Sequence, residues 1–125
     1  MSDCIFCKIA NGEIPTTTVY ENDLVRAFRD TDPQAPTHVL VVPKRHIQSV
    51  NQLTQEDGEL MLAMLDAIHN VVKSEGIEAG YRLVANTGEQ GGQSVPHLHV
   101  HVLGGRDMKW PPGLSSAFVA STIKA

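Results

Sequence analysis

The sequence lacks the features of a membrane-spanning or exported protein. No apolar run in its 125 residues approaches the roughly 18 residues that suggest a membrane span. The first four residues, Met-Ser-Asp-Cys, have neither the basic start nor the apolar stretch of a signal peptide. With 42% hydrophobic and 19% charged residues, the composition is that of an ordinary globular protein. We therefore expect a cytoplasmic protein without a membrane partner, folded as a single domain over residues 1–125.

Positive charge and cysteine are also scarce. The formal net charge is -4, and no basic cluster extends beyond Lys44 and Arg45. Because a nucleic-acid backbone requires a basic surface, we expect a small ligand and no nucleic-acid partner. The only two cysteines, Cys4 and Cys7, are three residues apart. In a reducing compartment this spacing indicates metal binding or redox chemistry more than a structural disulfide.

Hydrophobic periodicity predicts several strands and one long helix. Alternating or short continuous apolar runs predict strands over residues 17–20, 24–29, 39–42, 81–85 and 97–103. Leucine and methionine at helical spacing predict a helix over residues 54–74, with Thr54 as its N-cap and Gly76 at its end. A shorter helix is predicted within residues 3–10. Strands around one main helix indicate an α+β fold.

Three histidines alternate with apolar residues in the last predicted strand. Side chains of a strand point alternately to its two faces, so His97, His99 and His101 are expected on one face. Such a trio can hold a catalytic zinc with one open position. Alternatively, the central histidine can attack phosphorus while its neighbours orient it and transfer protons. The preceding residues 91–94, Gly-Gly-Gln-Ser, offer small residues and a hydroxyl where an anion would lie, which favours phosphate.

Residues 93–105, Gln-Ser-Val-Pro-His-Leu-His-Val-His-Val-Leu-Gly-Gly, resemble the signature of the histidine triad (HIT) family, in its Hint branch of nucleoside phosphoramidases. Other segments resemble the family in the same order, at residues 3–9, 35–38, 42–46 and 110–113. The resemblance implies a HIT-like fold, an antiparallel sheet of about five strands with one long helix and a short N-terminal helix. It also implies a homodimer, in which the long helices and the strands at residues 81–85 pair across a two-fold axis.

The resemblance assigns the role of nucleophile to the middle histidine, His99. This side chain would attack the α-phosphorus of AMP or GMP joined to an amine and release the amine. Water would then hydrolyse the nucleotidyl-histidine intermediate. Because one ring nitrogen must be unprotonated to attack, we expect the other to donate to a backbone carbonyl. The expected partners are purine nucleotides, and no organic cofactor is implied.

The same resemblance assigns roles to residues around the nucleophile. His101 would buttress the site, with His97 and His38 in the same cluster, and Ser94 would bind phosphate oxygens or the leaving group. The residues expected to bind the nucleotide, besides Ser94, are His38, Asp30 at the ribose hydroxyls, Asn86, Gln93, Phe28, Ile14 and Trp110. Without the resemblance, the polar members of this set are ordinary loop formers and the apolar members are ordinary core residues.

The cysteine pair implies a second function within the family. Members with this Cys-x-x-Cys pattern complete a zinc site with two histidines, and the matching residues are Cys4, Cys7, His46 and His97. Four protein ligands close the coordination of zinc, so this zinc would be structural and not catalytic. If His97 binds zinc, it cannot also move protons, and Ser94 or a water would have to do so. The alternative is a pair of small buried thiols.

Two rival functions stay open. The dinucleoside polyphosphate hydrolases of the family use the same nucleophile on a phosphoanhydride, although residues 110–113, Trp-Pro-Pro-Gly, favour the phosphoramidases. The nucleotide transferases fit less well, because they have glutamine where this chain has His101. The rival of a different class is a nucleotide-binding or zinc-binding interaction module without turnover.

Overall fold

The structure is a computed structural model that describes residues 3–113. In chain order its elements are α1 (Ile5–Ala10), β1 (Thr18–Glu21), β2 (Val25–Arg29), β3 (Thr37–Pro43), α2 (Gly58–Glu75), β4 (Tyr81–Val84) and β5 (Val100–Gly104). The strands form one sheet in the order β1-β2-β3-β5-β4, and every neighbouring pair is antiparallel. This confirms the predicted α+β class and the sheet of five strands with one long and one short helix.

Strand β3 is the centre of the sheet and is buried along its whole length. Its alternate side chains enter two separate cores. Val39 and Val41 pack with α2 on one face of the sheet. Leu40 and Val42 pack with Phe6 of α1 on the other face. The strand predicted over residues 39–42 is thus present, and its burial on both sides is the reason that the apolar run is nearly continuous.

The long helix begins later than the sequence analysis predicted. Thr54 is an N-cap as expected, but it caps a 3₁₀ turn over Gln55–Asp57, and the α-helix starts at Gly58. The Asp57 carboxylate accepts the Thr54 backbone N–H at 2.8 Å, which closes a capping box and tightens the first turn. Gly76 ends the helix with a φ of 70°, a left-handed conformation that glycine adopts without strain. Within residues 3–113, no helix is long and apolar enough to span a membrane.

The last strand is also shorter than predicted, because pairing begins at Val100 and not at residue 97. In the β3–β5 register Val41 lies opposite Val100, so Leu98 would lie opposite Pro43. Proline has no N–H to donate, so the ladder cannot continue there. Leu98 instead donates its N–H to the Ile47 carbonyl at 2.6 Å. The alternation of faces nevertheless persists, because Leu98 packs with Val100 in the core beside α2.

Candidate active site and metal centre

His99 lies just before β5 and is held from two sides. Its ring is buried, with 4% of the residue exposed. The Nδ1 atom lies 2.7 Å from the backbone carbonyl oxygen of His97. A carbonyl only accepts, so Nδ1 carries the proton and the lone pair of the neutral ring is on Nε2. This is the arrangement that we expected for a nucleophilic histidine. The His101 ring lies beside it, with the centroids 5.1 Å apart.

A chain of hydrogen bonds determines which ring nitrogen of neutral His101 carries the proton. The Gln34 backbone N–H donates to Nδ1 of His38 at 3.0 Å, so the neutral His38 ring carries its proton on Nε2. That Nε2–H donates to Nδ1 of His101 at 2.9 Å. Neutral His101 therefore carries its proton on Nε2 and can donate it. Burial lowers the pKa of His38, and burial with the neighbouring His99 and His38 rings lowers the pKa of His101 to about 4. Both rings are neutral near pH 7.

His97 faces the cysteines and is completely buried. Its Nδ1 lies 3.3 Å from the Cys4 sulfur and 3.5 Å from the Cys7 sulfur. Its Nε2–H donates to the Pro43 carbonyl at 2.8 Å, which leaves the Nδ1 lone pair directed at the two sulfurs. Burial also lowers the pKa of this ring. The free lone pair of the His97 ring therefore faces the two cysteine sulfurs and not His99.

The four residues of the predicted zinc site lie together. The donor atoms of Cys4, Cys7, His46 and His97 all lie within 4.8 Å of one another, with Nδ1 of His46 3.2 Å from the Cys7 sulfur. Two thiols and two imidazoles are a donor set that zinc binds tetrahedrally, and the bond from His97 to Pro43 orients the ring as in zinc sites. Burial and the Cys4 thiol raise the pKa of Cys7 to about 11. A cation between the two sulfurs would offset the repulsion between their thiolates, so the residues fit a zinc ion.

The predicted ribose and purine residues lie on the same side of the sheet as α1. Asp30 follows β2 and is partly buried, with Oδ2 3.4 Å from Nε2 of His38. Phe28 is buried in the core below α1, and Ile14 packs against that core. The structure therefore places the ribose and purine candidates beside His38, His99 and His101, which form the histidine cluster, on the α1 face of the sheet.

The loop between β4 and the triad is held by one of the predicted residues. The Gln93 amide donates to the carbonyls of Gln48 at 2.7 Å and Val95 at 3.0 Å, and it accepts the Gly88 N–H at 3.0 Å. Gln93 thus shapes the loop with its own side chain. Ser94, the next residue, is exposed. A nucleotide contact for either residue stays a prediction.

Asn86 and Trp110 line a separate cleft on this face. The cleft also contains Arg82 and Leu103, which are register partners on β4 and β5. His38 of β3 is the register partner of Leu103 on β5, so the cleft is next to the histidine cluster. Trp110 is 81% exposed, and the rings packed against His99 are those of Phe6 and His101. The structure thus groups Asn86 with Trp110, in a cleft whose lining does not include Asp30, Phe28 or Ile14.

Phe6 lies in the site and was not predicted from the sequence. Its ring contacts His99 edge-on, at a centroid distance of 5.0 Å. The spacing of Phe6, Ile9 and Ala10 on α1 is that of one buried helical face, a signal that was present in the sequence. The backbone groups of Gln34 and Pro43 were also missed, because their role depends on tertiary contacts alone.

Fold and site together define an α+β protein with a hydrogen-bonded histidine cluster, formed by His38, His99 and His101, beside a cysteine–histidine cluster formed by Cys4, Cys7, His46 and His97. The HIT domain family model matches residues 11–108 of the chain. The chain therefore belongs to the HIT domain family, which confirms the family inferred from the sequence.

Relatives and solved structures agree with this assignment. An uncharacterised HIT-like protein of Synechococcus elongatus is 50% identical over 111 residues, which cover 89% of this chain and 97% of that protein. A 14 kDa zinc-binding protein of Zea mays is 49% identical over 114 residues, 90% of this chain and 89% of that protein. The crystal structure of a HIT family hydrolase from Legionella pneumophila matches with a TM-score of 0.86 and 52% identity, covering 89% of this chain and all of that one.

Proposed function

We propose that this protein is a nucleotide hydrolase that cleaves the P–N bond of purine nucleoside phosphoramidates, as in the Hint branch of the family. The observation that carries the proposal is the 2.7 Å bond from Nδ1 of His99 to the His97 carbonyl. It leaves the lone pair on Nε2, where a neutral imidazole attacks phosphorus. The hydrolase from Legionella pneumophila, at 52% identity, supports the same reaction class.

The steps of the proposed reaction use the tautomers of the neighbouring His99 and His101 rings. Nε2 of His99 forms a bond to the α-phosphorus as the P–N bond to the amine breaks. The amine needs a proton to leave, and Nε2–H of His101 is a donor within the cluster. Water then attacks the nucleotidyl-histidine, which returns neutral His99 and releases the nucleotide, and the proton that water loses returns to Nε2 of His101. Because His97 is buried among the cysteines, it takes no part in this proton transfer.

The substrate would lie along the α1 face of the sheet. In this pose, Asp30 accepts the ribose hydroxyls, and Phe28 and Ile14 border the purine. Ser94 and the loop shaped by Gln93 lie next to the triad in the chain and would contact the phosphate. Asn86 and Trp110, in the adjoining cleft, would contact the phosphate and the leaving amine. We further propose that residues 1–125 form one HIT domain, which the match over residues 11–108 supports.

The test is release of AMP from an adenosine phosphoramidate by the purified protein. His99→Ala should lower kcat by at least about 10³-fold, because the nucleophile is lost. The matched control is His69→Ala, since His69 is exposed on α2 and belongs to neither cluster. Turnover that survives His99→Ala would remove this residue from the mechanism. A wild-type protein that binds AMP but does not hydrolyse the adenosine phosphoramidate would be a binding module. A larger kcat/KM on a dinucleoside polyphosphate would favour the anhydride hydrolases.

We also propose that Cys4, Cys7, His46 and His97 bind a structural zinc. The zinc-binding relative from Zea mays and the compact donor set support this assignment. Bound zinc would cross-link α1 to the segments that carry the two histidines. Cys4 and Cys7 form no disulfide and would bind zinc in reduced form, which suits a reducing compartment and supports a cytoplasmic location.

Zinc content tests the metal site directly. Elemental analysis should find about one zinc per chain in the wild type and in His69→Ala, and much less in Cys7→Ser and His46→Ala. Equal zinc content in all four proteins would contradict the site.

We propose that the protein is a homodimer. Helix α2 packs mainly across β1, β2 and β3, which leaves the same face of the edge strand β4 without cover. Leu83 is exposed on β4, at 44%, and Leu62 is exposed on α2, at 69%. A second copy would bury both side chains. Sedimentation should show a dimer that Leu83→Lys dissociates, and a monomeric wild type at micromolar concentration would contradict this proposal.

A further inference from the structure

Phe6 lies between the two clusters of the site. It is carried by α1, between Cys4, which caps the helix, and Cys7. Its buried ring meets His99 edge-on, with a centroid distance of 5.0 Å and an interplanar angle of 90°, and it meets His97 at 6.0 Å and 72°. Phe6 is 7% exposed. A close-packed ring at this position restricts the tilt of the nucleophile.

His97 forms a second connection between the same two clusters. Its ring belongs to the cysteine–histidine cluster, while its backbone carbonyl accepts the proton of Nδ1 of His99. The Pro43 carbonyl fixes the His97 ring from the opposite side. Any shift of the cluster would therefore act on His99 through the His97 backbone as well as through Phe6.

Helix α1 needs an anchor to hold Phe6 in place. It has only six residues, and an isolated helix of this length is not stable in water. Its anchors are an apolar face, formed by Phe6, Ile9 and Ala10, and the two cysteines. Four ligands joined by one zinc ion would fix Cys4 and Cys7 relative to His97.

We propose that Phe6 is a positioning residue for His99, and that the cysteine–histidine cluster sets its position when zinc is bound. This rests on the proposed function, since it assigns Phe6 a part in the same reaction. Phe6 does not touch the reacting atoms; it holds the imidazole whose Nε2 attacks. The zinc site then has a consequence for the rate of hydrolysis, although zinc takes no part in the chemistry.

The first test compares Phe6→Leu with the wild type, both loaded with zinc. The matched control is Ile68→Val, which removes buried apolar volume from the core on the opposite face of the sheet. We expect unchanged zinc content in all three proteins. In ¹⁵N NMR without substrate, His99 of the wild type and of the control should be a single Nδ1–H tautomer. In Phe6→Leu it should exchange between tautomers, and kcat should fall about 10- to 100-fold with little change in KM.

The second test removes zinc from the wild type with a chelator and then restores Zn²⁺ alone. The NMR signals of His99 should move towards those of Phe6→Leu and return when zinc is added. Phe6→Leu should respond less, because the link through α1 is already lost.

Two results would overturn the proposal. One is an unchanged His99 tautomer in both Phe6→Leu and the zinc-free wild type. The other is a rise in KM in Phe6→Leu with kcat and the His99 signals unchanged, which would make Phe6 a nucleotide contact. The NMR comparison needs no substrate. Failure of the proposed hydrolysis would therefore appear only as absent turnover in the wild type, and it would be distinguishable from failure of the positioning role.

Discussion

Protonation of His101 should make the fold sensitive to acid, and replacing this residue with glutamine should remove much of that sensitivity. Burial, then the His99 and His38 rings, lower the pKa of His101 in the folded state to about 4. The ordinary value of a histidine in an unfolded chain is about 6.5. Between these pH values the folded state binds fewer protons than the unfolded state. The free energy of unfolding therefore does not depend on the titration of His101 above about pH 6.5. It decreases as the pH falls from 6.5 towards 4, because the unfolded chain binds the proton first.

The magnitude follows from the same two pKa values. One pH unit corresponds to about 1.4 kcal/mol, so at pH 4.5 the loss from His101 would be about 2.5 kcal/mol if the ring were fully shielded. The ring is only partly buried, and solvent screening reduces this figure to about 1.5 kcal/mol. Acid must also break the bond that Nδ1 of His101 accepts from His38, because a protonated nitrogen cannot accept it.

Urea unfolding near pH 7 and near pH 4.5 measures this loss. The glutamine oxygen in His101→Gln can still accept from His38 but does not titrate, so the loss between the two pH values should be about 1.5 kcal/mol smaller than in the wild type. The control His69→Gln changes an exposed histidine and should behave like the wild type. Equal acid losses in the wild type and in His101→Gln would refute the reasoning.

Three further substitutions test local backbone conformation and helix capping, with urea unfolding as the measurement. Gly105→Ala should lower the free energy of unfolding by about 1–3 kcal/mol, because φ is +90° and the new Cβ would lie 2.9 Å from Pro36. Gly58→Ala should raise it by about 0.5–1 kcal/mol, since φ is -59° and the surrounding space is open. Thr54→Ala should lower it by about 1 kcal/mol, because the hydroxyl that accepts the Glu56 N–H is lost. A Gly105→Ala protein as stable as the wild type, a destabilised Gly58→Ala protein, or an unchanged Thr54→Ala protein would each contradict the corresponding argument.

The parts of the fold that depend on local sequence were predicted well. The buried run of β3, the cap at Thr54 and the glycine end of α2 all follow from neighbouring residues and are present in the structure. The errors lie at element ends. The last strand starts at Val100 because Pro43, far away in the chain, lies opposite the position where the ladder would continue. Such a boundary depends on register between strands, which one segment of sequence does not contain.

The sequence by itself predicted the face that carries the histidines and the pairing of Cys4 with Cys7, while His46 and His97 entered the set of possible metal ligands through the family resemblance. Alternation along a strand and the spacing of two cysteines are local properties, so they can be read without the fold. Only the tertiary structure decided what each histidine does. It directs His97 to the cysteines, fixes the proton of neutral His101 on Nε2 through the hydrogen bond that Nδ1 accepts from His38, and places Phe6 against His99. These contacts join residues from opposite ends of the chain, and hydrogen-bond direction and packing between such residues exist only after the sheet has formed.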